Sequence, residues 1–288
     1  MKQQTFFAFA APSITIMTLL MVIPLGMAIW LGMNLVTFRN INDPQFVGLQ
    51  NYIEVLTDPQ FWQSFRFTIL YMVLVVPAWI IIGFCMALVL DQVSGFVRGV
   101  YLSIFLLPFI IVPIVGTVMF KQLFEASGPL RYLYEVVLDE RFRYNENIVK
   151  SLIVIFGVWY VTPFSLVVYF AGIQTLPQEL LEASSIDGAT SIQKIRHIVI
   201  PHVSSLTLFI LLFSIMDAYR VFDSVFVMTE NLNPIYRANT MMTYTFQTAI
   251  ANQRLGVGNA MAIITVLGIM IVLIPNLYFS YKEQIAER

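Results

Sequence analysis

The chain has 288 residues, of which 58% are hydrophobic and 11% charged, with a formal net charge of −1 and a mean hydropathy of +0.79. Soluble domains carry about a quarter of their residues as Asp, Glu, Lys and Arg, so this composition excludes a soluble globular fold and describes an integral membrane protein. The near-zero charge gives no electrostatic reason to expect nucleic acid, and a single cysteine, Cys85, set in an apolar run, forms neither an intrachain disulfide nor a cysteine-rich metal site.

A helix needs about 20 mostly apolar residues to cross the hydrocarbon core, because each residue rises about 1.5 Å and every backbone polar group must be bonded within the helix. Six stretches qualify, at about 12–36, 67–90, 99–120, 151–173, 203–228 and 260–281. The first follows Lys2 as a signal peptide would, but it far exceeds the roughly 7–15 residues of a signal's apolar core. Charge bounds the third sharply between Arg98 and Lys121, and the fourth follows Lys150. In the fifth, only the fourteen residues Val203–Met216 are free of charge. That helix must therefore continue through Asp217, Arg220 and Asp223 to about Met228, placing costly ionisable groups at membrane depth. Prolines at Pro24, Pro77, Pro108, Pro113, Pro163 and Pro275 predict kinks. Loops 37–65, 121–150 and 223–259 fall on one side. On the other lie the N-terminus, the Asp91–Arg98 turn, the segment around 174–202 and the tail from Lys282. Lys and Arg are nearly as dense on one side as on the other, so the positive-inside rule does not orient the chain.

Leu176 to Pro201 is a polar stretch wedged between two apolar runs. Thr175-Leu176-Pro177-Gln178 has the form of a capping box. It predicts a short helix to Ile186 with Leu180, Leu181, Ala183 and Ile186 on one side and Glu179 and Glu182 near the positive end of its dipole. Asp187-Gly188 stops that helix, since glycine takes a left-handed C-cap cheaply. Ser191 is placed to cap a second helix carrying Ile192, Ile195 and Val199, before Pro201 opens the next segment. By pattern alone, a plain interfacial connector and a docking element are equally open.

Glu182-Ala183-Ser184, three residues, Gly188, nine residues, then Ile198-x-Ile200-Pro201 resembles the EAA loop of ATP-binding-cassette importer permeases. Ser184 stands for the second Ala and Ile200 for Leu. The run Leu180–Ala189, with Ile186-Asp187-Gly188-Ala189, is similar to the carbohydrate branch of that family. Phe46-Val47-Gly48-Leu49-Gln50-Asn51-Tyr52 resembles its F-x-G-L-x-N-Y, and Asp58-Pro59-Gln60-Phe61 its D-P-x-F. Arg98 and Leu107-Pro108 sit where the family has its Arg and Pro, and Gly128-Pro129-Leu130 resembles its G-x-L-N turn. Phe222–Thr229 is similar to F-D-x-I-F-V-L-T, but Glu230–Pro234 replaces the usual G-G-P. A C-terminal G-L-x-x-G-A-x-K-G signature is absent, which favours the MalF/UgpA-like first-permease type.

The resemblance implies an all-α membrane protein with the six-helix, type I importer permease fold over residues 1–288, and a cytoplasmic coupling loop at about 174–202. Leu180, Glu182, Ala183, Ser184, Asp187, Gly188 and Pro201 would form the surface that docks on an ATPase. Both termini would then be cytoplasmic, in a bacterial inner membrane. The implied partners are a second, homologous permease, two ATPase subunits and an extracytoplasmic solute-binding protein, with lipid around them. ATP and Mg would be held by the ATPases and no cofactor by this chain, which is not an enzyme and has no G-x-x-x-x-G-K-[ST] phosphate loop. The implied cargo is a sugar or related carbohydrate, of oligosaccharide, polyol or glycerol-phosphate type.

Sugars are held by hydrogen bonds to hydroxyls and by stacking on aromatic rings. Mid-span candidates are therefore Trp159, Tyr160 and Phe164 around Pro163, and Ser214, Asp217, Tyr219 and Arg220 in the fifth span. Asp217 leads; a plain ion pair with Arg220 competes with that role. Trp79 and Asn276 read better as interhelical contacts, and His197 and His202 as solvated surface. An ion-coupled secondary transporter working through Asp217 and Arg220 is the alternative from another class. The absence of an internal repeat argues against it.

Overall fold

The computed structural model describes residues 3–286, and the side chains of residues 9–278. Lys2, Arg288 and the Lys282 side chain, which entered the charge comparison, lie outside the described residues. The described residues form two compact units, 3–63 with 241–268, and 64–240 with 269–286.

The first unit begins with α1, Phe9–Gly32, an apolar run with no buried residue in its most apolar window and a π turn at Thr18–Val22. Two short antiparallel strands follow, β1 (Asn34–Leu35) and β2 (Gln45–Phe46), then α2 (Gln50–Thr57) and the start of α3 (Pro59–Asp91). The motif around Asn51 has a mechanical reason. Gly48, at φ +60°, makes the turn into α2, and the buried Asn51 amide donates to the Gly32 and Asn34 carbonyls, 2.9 Å to each. The last described elements, numbered below, return to this unit. Gly256 donates to the Val36 carbonyl at 3.0 Å, and a Cβ there would meet the Asn34 oxygen at 2.2 Å. Arg254 pairs with Glu54 at 2.7 Å.

The second unit takes the rest of α3, then α4 (Gly95–Ile110), α5 (Pro113–Gln122), α6 (Pro129–Leu138), α7 (Glu146–Gln174), α8 (Gln178–Ile186), α9 (Ser191–Lys194), α10 (Ser204–Tyr219) and α11 (Asp223–Met228). The chain then returns to the first unit through α12 (Met241–Phe246) and the start of α13 (Leu255–Ala286). Small residues let α3 and α7 cross closely. A Cβ on Gly157 would meet the Tyr71 hydroxyl at 2.2 Å, and one on Gly83 would meet the Ser165 Cβ at 2.5 Å. Trp79 is fully buried at this crossing and donates to the Gly157 carbonyl at 2.8 Å, the interhelical role read for it from the sequence. Tyr71, Val75, Trp79, Ile153, Phe156, Tyr219 and Val225 share one core cluster.

In two of the expected spans the helix is broken. The stretch 99–120, expected as a single span, is two helices meeting at 99°. Pro113 disfavours the helical region for Val112, and Ile111 and Val112 are extended, at ψ 137° and 131°. The fifth span reaches Met228 as expected, over Ser204–Met228, but its leading helix, α10, does not continue unbroken through the charged residues. It ends at Tyr219, and Arg220–Phe222 interrupt it before α11, where the Val221 carbonyl accepts from Thr240 at 2.9 Å. Among the described residues, five helices are long and apolar enough to cross a membrane, or up to six if the bent pair counts as one span.

Candidate functional site

The glycine elbow between α8 and α9 is built by local rules, with two changes from expectation. Thr175 does not cap α8, because α7 runs on to Gln174 and Thr175 closes that helix instead. Its hydroxyl donates to the Gly172 carbonyl at 2.7 Å and lies 3.1 Å from His202 Nε2. α8 starts after Pro177 without a side-chain cap. It ends as predicted from Asp187-Gly188: Gly188 sits at φ +77°, its amide bonds the Ser185 carbonyl at 3.2 Å and that of Ala189 the Ser184 carbonyl at 2.9 Å, the paired pattern of a Schellman cap. The cap of α9 is Thr190 rather than Ser191, in a reciprocal capping box with Gln193. Pro201 has no amide for the carbonyl four residues back, and the chain widens into a π turn over Ile195–Val199.

These bonds leave one side of α8 uncovered by this chain. Leu180 is 51% exposed and Ile186 87% exposed, and Glu182, Ala183, Asp187 and Gly188 are exposed with them. Glu182 accepts a 2.9 Å bond from Gln178 Nε2. Leu181 and Ser184 are half-buried. Lys194 Nζ donates to Ser185 Oγ at 2.6 Å, tying the two arms together.

A second feature is a cavity of about 300 Å³ within the second unit, lined by Tyr71, Pro113, Phe156, Tyr160, Asp217, Arg220, Asp223 and neighbours. Both helix breaks shape it. The break after Tyr219 wraps Arg220–Ser224 around one wall. At the 99° bend, Pro113 forms another, and the Ile111 carbonyl, freed from helical bonding, accepts from the Tyr160 hydroxyl at 3.1 Å. Arg220 Nη2 reaches Asp217 Oδ1 at 3.5 Å, with the guanidinium side chain 67% exposed and the carboxylate 33%. That pairing is loose and leaves both groups able to take other partners.

Of the residues expected to line a solute path, Tyr160, Asp217 and Arg220 come together here. The others lie elsewhere. Trp159 packs against Phe120 and Phe156, Phe164 stacks on Phe213 at 4.1 Å, Tyr219 is buried in the core, and Ser214 is fully buried with no hydrogen-bond partner for its hydroxyl among the described residues. Sequence reasoning missed Tyr71, Phe156, Asp223 and Ser224 as wall residues. Asp223 had a signal, as the acidic member of the F-D motif; Tyr71 and Phe156 had none, because an aromatic in an apolar run does not announce its facing. Among the described residues no group of three or more His, Cys, Asp or Glu side chains is placed to hold a metal ion.

The family described as binding-protein-dependent transport system inner membrane component matches residues 79–281, a range that contains the elbow and most of the cavity wall. The chain belongs to this family. A probable ABC transporter permease protein of Pyrococcus horikoshii is 30% identical over 244 residues, 83% of each chain. The trehalose transport system permease protein SugA of Mycobacterium tuberculosis is 25% identical over 264 residues, 91% of this chain and 84% of its own. The trehalose/maltose transport system permease protein MalF of Thermococcus litoralis is 30% identical over 223 residues, 76% of this chain and 74% of its own. Among solved structures, a chain of a bacterial ABC transporter involved in import of the acidic polysaccharide alginate superposes with a TM-score of 0.81 at 17% identity, covering 98% of this chain and 96% of that one. At that identity the likeness is one of fold.

Proposed function

We propose that this family member is the permease subunit of an ATP-driven, binding-protein-dependent importer of a sugar or related carbohydrate, with the type I importer fold. The observation that carries the reading is the outward face of α8, where Leu180, Ala183 and Ile186 stand exposed beside Glu182 on a helix locked by the Gly188 cap. A rigid amphipathic helix with an uncovered apolar face is suited to a groove on another protein, with Glu182 free to pair with an arginine there. In this reading that protein is one of two ATPases, which hold the ATP and Mg, and their closure drives the elbow and tips the spans. A second permease completes the pore and a solute-binding protein delivers the cargo from the other side. The elbow and both termini are then cytoplasmic.

Relatives named for trehalose, maltose and arabinooligosaccharides support a carbohydrate cargo. The cavity suits one as well, since Tyr71, Phe156 and Tyr160 offer ring faces while Asp217, Arg220, Asp223 and Ser224 offer hydrogen bonds. The complex purified with its own ATPases and reconstituted in liposomes should take up labelled sugar only when ATP is supplied. Uptake without nucleotide would overturn the reading in favour of an ion-coupled carrier.

A further inference from the structure

Gln174, Asp91 and Arg98 form a cluster of hydrogen bonds beside the elbow. Gln174, the last residue of α7, lies three residues before Pro177, which precedes α8, so its backbone must follow any movement of the elbow. Its side chain is bonded to the turn between α3 and α4, the amide donating to Asp91 Oδ1 and the carbonyl oxygen lying 3.4 Å from Arg98 Nη1. Arg98 in turn closes the turn between α3 and α4, with Nε donating to the Val93 carbonyl at 2.5 Å and Nη2 to the Asp91 carbonyl at 3.1 Å. Its guanidinium also stands 5.4 Å from the Phe170 ring centre on α7.

The planar fork of Arg98 thus joins three segments at once: the end of α3, the first turn of α4 and the end of α7. A lysine has one point of charge and does not reproduce that geometry. The groove of about 580 Å³ between this knot and the elbow is lined by Asp91 and Gln174 on one side and by Leu181, Glu182, Ser185 and Lys194 on the other. Open space there separates α8 from the α3–α4 turn; at the root of the elbow Leu176 packs against the cluster of Leu90, Ile173 and Val199, and the side-chain knot adds polar bonds across that same junction. At its far end α4 leads to the Ile111 carbonyl that holds the Tyr160 hydroxyl, and to Pro113 in the cavity wall.

We infer that Arg98 is a positioning residue which, through Gln174 and Asp91, links movement of the elbow to α4 and so to the bend at the cavity wall. The inference rests on the proposed function, because it needs the elbow to be driven. Breaking the link leaves ATPase docking intact, since the exposed face of α8 is untouched, but uncouples hydrolysis from movement of the wall. Without the link, ATP is consumed while the solute path responds weakly.

The complex of this chain with its own partner subunits, in liposomes, supplies the test. Gln174→Ala is the primary variant, because Gln174 is exposed and its loss leaves no core void; Arg98→Ala, Arg98→Lys and the double alanine variant complete a cycle. The expected result is an ATPase rate close to wild type with labelled-sugar uptake per ATP reduced by about fivefold or more, the low end of typical coupling between sites. Arg98→Lys should restore little, and the double variant should be no worse than the more severe single one. An unchanged ratio of uptake to ATP in Gln174→Ala overturns the inference, and so does a parallel fall of both activities, which would mark a docking defect. If wild-type uptake needs no ATP, the proposed function fails, and the inference with it.

Discussion

At the scale of single residues, the sharpest constraints come from glycine and from charge. Gly188 sits at φ +77° with open space where a Cβ would go, so Gly188→Ala meets no neighbour and bears only the left-handed backbone cost of about 1 kcal/mol. Gly188→Pro cannot adopt the conformation at all. The alanine variant should keep measurable sugar uptake by the reconstituted complex and the proline variant should abolish it while both insert; equal uptake by the two would argue that the elbow's shape is not used. Glu182→Ala should abolish ATP-coupled uptake with insertion retained, and unchanged uptake would remove Glu182 from docking. Asp217 is judged differently, because its loose contact with Arg220 leaves it available to a solute. Asp217→Ala should shift the sugar concentration giving half-maximal ATPase stimulation by about tenfold, in line with the roughly 1.5–3 kcal/mol of a hydrogen bond to a charged group. Lower protein levels with an unshifted half-maximum would mark Asp217 as an ion-pair residue only. Gly157 is constrained from the side: Gly157→Val would drive atoms into Tyr71. It should destabilise by about 1–3 kcal/mol, the usual cost of overpacking, read as a lower melting temperature in detergent.

At the scale of elements, proline and local hydrogen bonding decide where helices stop. The expected third span held Pro108 and Pro113 among uncharged residues, and hydropathy cannot tell a kinked helix from a broken one. The break was set by the extended pair Ile111 and Val112, whose carbonyl-to-Tyr160 bond exists only once α7 is in place. The caps were misplaced for a similar reason. Thr175 and Ser191 each qualified by type, but α7 runs up to Thr175, which closes it, and Thr190 had the better partner in Gln193. Outside the spans, α6 is secured by Glu135, which accepts from the Phe142 amide at 3.0 Å and from Arg131 at 3.1 Å. The Phe142 amide first, and Arg131 next, hold the Glu135 carboxyl below its usual range. A carboxylate depressed on folding stabilises above its unfolded pKa and loses that contribution as pH falls through the folded value. Hydrogen exchange at the Phe142 amide should therefore accelerate below about pH 4 beyond its intrinsic trend, given an ordinary glutamate pKa of about 4.3, and Glu135→Gln should flatten that response. An exchange rate independent of Glu135 ionisation would remove the bond as the tether of this loop.

At the scale of the whole molecule, the apolar spans, the elbow and the family were legible in the amino-acid order. Membrane insertion depends on runs of about 20 apolar residues, and the elbow on caps that act within five residues of chain; both are local in sequence. The spacing from Glu182 to Pro201 is local too, and the family it suggested matches residues 79–281. The cavity was not legible in the same way. Its walls come from α3, α5, α7, α10 and α11, and which faces meet was decided by the α3–α7 crossing that Gly83 and Gly157 permit and by the breaks at 111–112 and 220–222. Hence Tyr160, Asp217 and Arg220 line it, while Trp159, Phe164, Ser214 and Tyr219, equally suitable by type, pack elsewhere. The sequence by itself determined that this chain crosses a membrane and presents a capped polar elbow, because those properties need only neighbours in the chain. Only the tertiary structure decided which polar and aromatic side chains share a cavity, and that Gln174, Asp91 and Arg98 meet, because residues far apart in the chain converge only when helices pack.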